Sequence, residues 1–417
     1  MTFPHFLRAL NSRNFRLYFA GQGTSLTGNW LGITALSWLG YELSGSAFIL
    51  GLLLFSSQFP TFLLAPFAGV WSDRTNRRRL LFAANIACAA QGAALAALVL
   101  SGHATVPALI ILATVRGVLN GFEFPTRQSF LIEMLEHRAD LPNAIALNSS
   151  MFNVARLIGP SVAGFLIVAH GPGICFIVDA LSYGPLLGSL AAMRLGPQTS
   201  PRIPGHPLAD LRDGLHHVLA RPALRHALLL VACTAFFGFA ATVLSPVLAR
   251  DVFGGDARVL GKFYAATGGG ALLSALFLGT RPSALGLGSW IRRGAVLIVA
   301  ALLGCALSTS LWLAIACMMI NGMGVVLVMA GNNTLIQSQV DDDKRGRIMG
   351  LFVMCQGMFP FGSLAVGGLA QAAGPRTAIA LCAAVMATAA WRFSRDPDSA
   401  NAETGTVTPA PEPPPPT

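Results

Sequence analysis

The chain has 417 residues, 54% hydrophobic and 11% charged, whereas soluble domains carry roughly 25% charged residues. Its formal charge of +10 would point to nucleic acid in a soluble protein. The apolar excess and the long uncharged runs exclude a soluble domain. The continuity of those runs excludes an outer-membrane barrel, whose strands alternate over about ten residues.

A helix needs about 20 apolar residues to cross the ~30 Å hydrocarbon core. Residues 1–13 form a polar, basic lead-in. Runs of spanning length follow at 15–41, 47–71, 80–101, 105–126, 144–169 and 173–193, then at 224–249, 259–280, 291–308, 311–337, 347–370 and 376–393. The fold class expected is an all-α membrane protein with twelve transmembrane helices. An N-terminal half (1–195) and a C-terminal half (223–395) flank a connector, 196–222. In the connector, Leu208, Leu211, Leu215, Val218 and Leu219 share one face of a helix that could lie on the membrane surface; a plain linker is the alternative. The Pro-rich stretch 396–417 cannot bury a core and is expected to be disordered. No short apolar core ends in a small-residue cleavage site near the start, so the first span is expected to direct insertion.

Sorting the basic residues by side fixes the expected orientation. With the N-terminus inside, the inner segments hold 22 Lys and Arg, and the outer segments hold only Arg250, Arg258, Lys262 and Arg376. The positive-inside rule therefore predicts a multi-pass protein of the cell (inner) membrane with both termini cytoplasmic. The bilayer then accounts for the charge, and no nucleic-acid partner is expected.

The two halves resemble each other. Asn120-Gly121 recurs as Asn321-Gly322, Leu131-Ile132 as Leu335-Ile336, and Gly171-Pro172 as Gly374-Pro375, at offsets of 201, 204 and 203 residues. Two six-helix pseudo-repeats around a central cavity describe a transporter architecture with its site at the repeat interface.

The turn after the second span carries the first recognisable motif. Gly69, Asp73, Arg74, Arg77 and Arg78 match G-x-x-x-D-(R/K)-x-G-(R/K)-(R/K), with Asn76 in place of the glycine. Asparagine is among the few other residues that tolerate the left-handed backbone glycine can take there, which makes the departure mild. This resembles the signature loop of the major facilitator superfamily, between its second and third helices. The corresponding second-half stretch, Gly279 to Gly288, lacks the acid. In span five, Ala155, Gly159, Pro160, Ala163 and Gly164 are similar to the G-x-x-x-G-P-x-x-G-G element of exporters that exchange a drug for protons. Phe124-Pro125, Pro142-Asn143-Ala144 and Asp179-Ala-Leu-Ser resemble the enterobactin-exporter and macrolide-efflux branch. The resemblance implies alternating access and a loop that latches the halves while the cavity faces outward. Asp73 would be the latch, with Lys344, Arg345 and Arg347 across the halves as its partner.

Ionisable groups inside spans cost at least ~2.5–3.5 kcal/mol on insertion scales, so they are functional candidates. Arg116, Glu123, Arg156 and Asp179 qualify, all in the first half. At 1.5 Å per residue, Arg116 and Asp179 lie roughly 16 and 10 Å below the outer surface, and Arg156 and Glu123 roughly 21 and 27 Å. The depths pair Arg116 with Asp179 and Arg156 with Glu123. A carboxylate beside an arginine is held ionised, and withdrawing the arginine lets it take a proton, which makes a relay. A fixed packing network is the alternative. Span one lacks a carboxylate; Gln22, Thr24, Ser25, Thr27 and Asn29 are its polar residues, and Asn29 joins the candidate cavity. Gln58, Asn321, Asn332, Asn333, Gln337 and Gln356 are expected to bond between helices or line that cavity.

All seven cysteines fall in or beside apolar segments without CxxC spacing and are expected to pack in the core. No GxxxxGK(S/T), GxSxG or HExxH occurs, and the histidines form no metal-spaced cluster. No cofactor, no metal and no enzymatic activity are expected. The sequence points to a monomeric secondary transporter, exchanging protons for a siderophore or a bulky drug-like amphiphile. A proton-coupled importer of a small organic solute is the first alternative, and an integral membrane enzyme the second.

Overall fold

The computed structural model describes residues 5–194, 215–216, 218–219, 221–280, 286–340 and 342–395. Most of the connector, with its expected amphipathic face, and all of the Pro-rich tail lie outside them. Among the described residues, twelve long helices follow one another. They are α1 (Arg13–Ser44), α2 (Ala47–Arg74), α3 (Arg77–Leu100), α4 (Val106–Phe130), α5 (Leu141–His170) and α6 (Gly173–Ala192). After the connector come α7 (Pro222–Val252), α8 (Ala257–Gly279), α9 (Leu287–Leu307), α10 (Leu311–Gln339), α11 (Asp342–Gln356, then Phe359–Ala373) and α12 (Pro375–Ser394).

Ten of the twelve are long and apolar enough to cross a membrane by composition. The other two, α1 and α8, give up apolar side chains for close helix contacts. On α1 a Cβ at Gly28 would overlap Ser182 of α6, and one at Gly32 would lie 3.0 Å from an Asp179 carboxylate oxygen. On α8 a Cβ at Gly270 would strike the Met319 carbonyl of α10. Small residues at such crossings let membrane helices approach closely.

Two expectations need correcting. Asn76 is not left-handed: at φ −69° it is the N-cap of α3, its side-chain oxygen accepting from the Arg79 N–H at 3.0 Å. Capping satisfies a donor that the first turn leaves unpaired, so asparagine replaces glycine here for a different reason. Helix α4 also continues past 126 to Phe130. Arg127, counted among the cytoplasmic residues from the sequence, is therefore a buried residue inside a span.

The repeats recur in the geometry. Gly121 sits against Leu64 of α2 and Gly322 against Thr267 of α8, each on the second helix of its own half. Gly171 and Gly374 end α5 and α11 at φ 81° and 84°, a region open to glycine at no steric cost. The seams between the halves repeat as well. A Cβ at Gly51 would lie 2.5 Å from the Ser363 carbonyl, and one at Gly367 2.6 Å from that of Ala47. Across the other seam, a Cβ at Gly261 would lie 2.6 Å from the Pro160 carbonyl, and one at Gly164 2.7 Å from that of Ala257.

Both seams, α2 with α11 and α5 with α8, run along the end that the charge bias assigns to the outside. Hydrogen bonds join the halves at the same end. The Tyr41 hydroxyl bonds the Asp251 carboxylate, and Ser46 bonds Gln371 at 2.9 Å. Phe361 of α11 packs against Phe55, Phe59 and Phe62 of α2 a little deeper. The halves are thus closed together at that end.

The apolar core differs between the halves. In the C-terminal half one continuous cluster runs from Leu224 to Phe393. In the N-terminal half it divides in two. The inner cluster holds Leu26, Cys88, Ala155 and Tyr183, and the outer one holds Leu31, Leu95, Ala113, Ala163 and Phe176. Between those levels lie Asn29 on α1, Gln91 on α3, Arg116 on α4, Arg156 on α5 and Asp179 on α6.

Candidate functional site

The layer between the two clusters is built around Arg116. Its Nη2 lies 3.3 Å from Asp179 Oδ2 and donates to Asn29 Oδ1 at 2.7 Å and to the Tyr183 hydroxyl oxygen at 2.6 Å. Its Nη1 donates to Gln91 Oε1 at 3.0 Å and to the Cys88 carbonyl at 3.3 Å. Arg116, Asp179, Tyr183 and Gln91 are buried. Gln91 in turn donates to the Leu112 carbonyl at 3.0 Å. Four helices, α1, α3, α4 and α6, are tied through one guanidinium. Several hydrogen bonds are what a buried ion pair requires to offset its desolvation.

The approach of α1 to α6 at Gly28 and Gly32 makes this possible. Any larger residue at Gly32 would press on the Asp179 carboxylate. A Cβ at Gly92 of α3 would lie 3.4 Å from the same carboxylate. Asp179 is thus held in a slot between glycines, facing Arg116.

The sequence-derived residues fall into three places. Arg116, Asp179 and Asn29 come together. Glu123 and Arg156 do not: Glu123 lies 3.2 Å from Arg127, one turn along its own helix. The misplaced end of α4 hid that partner. Arg156 instead lies over the ring of Trp30, 5.7 Å from its centroid. Gln91 and Tyr183 were missed. Tyr183 stands one turn after Asp179, a spacing that puts both on one helix face, so it was open to inference. Gln91 was not, since nothing in α3 alone marks it.

The exporter-like element serves helix packing at two surfaces. A Cβ on Gly159 would lie 2.5 Å from Trp30 Cβ of α1, while Pro160 and Gly164 form the α8 seam. In the signature loop, Arg77 Nη1 pairs with Glu133 at 2.6 Å and Arg78 donates to the Ala191 carbonyl at 2.7 Å, both within the N-terminal half. The surroundings of Gly69 and the side chains of Asp73, Arg74 and Arg345 lie outside what is described; Arg347 is exposed and Lys344 partly buried. In the other half, Asn321 is buried and donates to the Gly238 carbonyl of α7 at 3.1 Å. Asn332 donates within its own helix to Val328 at 2.8 Å. Gln337 bonds Asn333, and Gln356 donates to the Met329 sulfur at 4.0 Å.

Comparison with known proteins gives a consistent set of likenesses. A family model described as transmembrane secretion effector matches residues 6–414. The Staphyloferrin A transporter of Staphylococcus aureus is 28% identical, over 84% of this chain and 87% of that protein. Macrolide efflux protein A of Streptococcus pyogenes is 22% identical, over 81% and 84%. Among solved structures, a bacterial homologue of the human lysosomal transporter Spinster, inward-facing and unoccupied, superposes with TM-score 0.68 at 16% identity, over 95% of this chain and 99% of that one. That last likeness concerns the fold alone.

Proposed function

We propose a mechanism for a chain that belongs to the transmembrane secretion effector family of the major facilitator superfamily, a multi-pass membrane transporter and not an enzyme. In our reading it exports a siderophore or a bulky amphiphile in exchange for protons, as a monomer of the bacterial inner membrane with both termini cytoplasmic. The observation that carries this reading is the buried Arg116–Asp179 pair, set in a bonded polar layer of one half beside the seam. An ion pair so placed is costly in a membrane and marks a pathway or proton site.

Asp179 is the proton site. Arg116 also has Asn29 of α1 and Gln91 and the Cys88 carbonyl of α3 as acceptors, so a small shift of α6 frees the carboxylate while the guanidinium keeps hydrogen bonds, though not its counter-charge. Cargo and proton drive transport when each favours a different arrangement of the halves. Glu123, paired with Arg127 toward the cytoplasmic end, is the second station. Closure of the outer end in this structure corresponds to the cargo-accepting state of an exporter. In the outward-facing state, Gly69, Asp73, Arg74, Arg77 and Arg78 latch against the start of α11.

Export is supported by the exporter-like element Gly159, Pro160 and Gly164 and by the relative named for macrolide efflux. The relative named as a Staphyloferrin A transporter supports a siderophore. The test deletes the gene and compares secreted compounds, with and without iron, alongside drug tolerance. The reading expects a compound whose extracellular level falls on deletion, or lowered tolerance to a bulky drug. Unchanged secretion and unchanged tolerance would remove it.

A further inference from the structure

Of the described charges placed deep in spans above, Arg116, Glu123, Arg127, Arg156 and Asp179, Arg156 is the one that the mechanism leaves without work. Arg116 faces Asp179, and Arg127 faces Glu123. Among the described residues Arg156 has no carboxylate within salt-bridge distance and no hydrogen-bond acceptor. Its guanidinium rests on the Trp30 ring at 5.7 Å. A cation–π contact accommodates a guanidinium but does not neutralise it. The C-terminal half offers no anion at that depth: α8 is uncharged from Phe263 to Gly279, α10 from Leu311 to Gln339, and α11 from Ile348 to Ala373.

The surroundings are those of a binding corner. Arg156 lies midway along α5, at the level of the polar layer, and the seam passes beside it. A Cβ on Gly268 of α8 would lie 3.0 Å from the Arg156 carbonyl. Trp30 lies beneath the guanidinium, and its buried indole N–H has no acceptor among the described residues. Phe152, exposed one turn toward the cytoplasm, meets the Trp30 ring edge-on at 5.9 Å. A cation without a counter-charge and the rings of Trp30 and Phe152 therefore lie together on α1 and α5, beside the seam where the halves meet. An acidic group with an apolar body attached would match this pairing of charge and rings.

We infer that Arg156, Trp30 and Phe152 form a subsite for an anionic group of the cargo, a carboxylate or comparable oxyanion, so that the exported molecule is an anionic amphiphile. The inference rests on the exporter reading and narrows its cargo. The planar guanidinium can take a carboxylate through two parallel hydrogen bonds. The two rings take the adjoining apolar part. The anion supplies the charge that the protein withholds from Arg156, and does so at the seam that must open.

The test complements the deletion strain with wild type, Arg156→Lys and Arg156→Gln, matched for membrane abundance. Extracellular compounds are then compared by mass spectrometry, with charge at pH 7 read from electrophoretic mobility. The compounds lost on deletion should be anions. R156Q should restore their export about 10- to 100-fold less well, the usual worth of a charge-assisted hydrogen bond, and R156K should restore more than R156Q. With purified wild-type protein, the methyl ester of the recovered compound should compete at least tenfold less well than the free acid, which keeps the test valid even where R156Q fails to fold. Neutral or cationic cargo overturns the subsite while leaving the exporter reading intact. So does export by R156Q equal to wild type, or an ester competing as well as the acid. No change in secretion or drug tolerance on deletion overturns the exporter reading, and the subsite falls with it.

Discussion

The repeat offsets allow the two halves to be compared residue by residue. Shifted as Asn120 is to Asn321, Arg116 falls on Cys317; shifted as Gly171 is to Gly374, Asp179 falls on Cys382. Both cysteines are buried in the continuous apolar cluster of the C-terminal half. One scaffold therefore carries an ion pair bonded to four helices in one copy and two small apolar residues in the other. Both copies keep the glycine seams and the glycine turns. The fold does not need the polar layer, so the layer's cost is attributable to the work of one half.

The sharpest way to break this comparison is to unbalance the layer. Asp179→Asn leaves Arg116 buried without its counter-charge and should cost about 3–5 kcal/mol, as loss of one partner of a buried pair does. Thermal unfolding of the detergent-purified protein measures it. The double variant Arg116→Met with Asp179→Leu makes the N-terminal half resemble the C-terminal one. Its stability should return to within about 1 kcal/mol of wild type or exceed it, while proton-driven transport stays absent. A double variant as unstable as the single one would show that the layer holds the half together.

The seams should be more forgiving in stability and more telling in conformation. Gly51→Leu places a side chain where even a Cβ would lie 2.5 Å from the Ser363 carbonyl. Overpacking of this kind costs about 1–3 kcal/mol, charged here to the outer-closed state alone. Spin labels on the outer ends of α2 and α11 should report a longer distance. The repeat predicts the same from Gly261→Leu across the other seam. Tyr41→Phe removes the hydroxyl that bonds Asp251. Its expected effect is the smallest, about 0.5–1.5 kcal/mol, read as a modest rise in the outer-open population with unchanged melting.

The sequence made the helices legible because each is a long apolar run and the basic turns sit between them. The repeat was legible too, since Gly171 and Gly374 are required by backbone conformation and Gly121 and Gly322 by close packing. Arg116 and Asp179 announced themselves as charges in apolar surroundings. The error at Glu123 came from the end of α4: a boundary four residues short placed Arg127 in a loop and left Glu123 to be assigned to Arg156. Helix ends are the least determined part of such a reading, because fraying residues carry little apolar signal. Gln91 was invisible for a different reason. A lone glutamine in a span gains its meaning only from the helix opposite.

The measurement that bears most directly on the account follows cargo movement into everted membrane vesicles, using the compound recovered from the deletion comparison, with and without an imposed pH gradient. Wild type should concentrate the compound when the vesicle interior is acid. Asp179→Asn should still exchange cargo at equilibrium but should fail to concentrate it. Gradient-driven accumulation by Asp179→Asn at the wild-type level would contradict the assignment of the proton site to the polar layer of the N-terminal half.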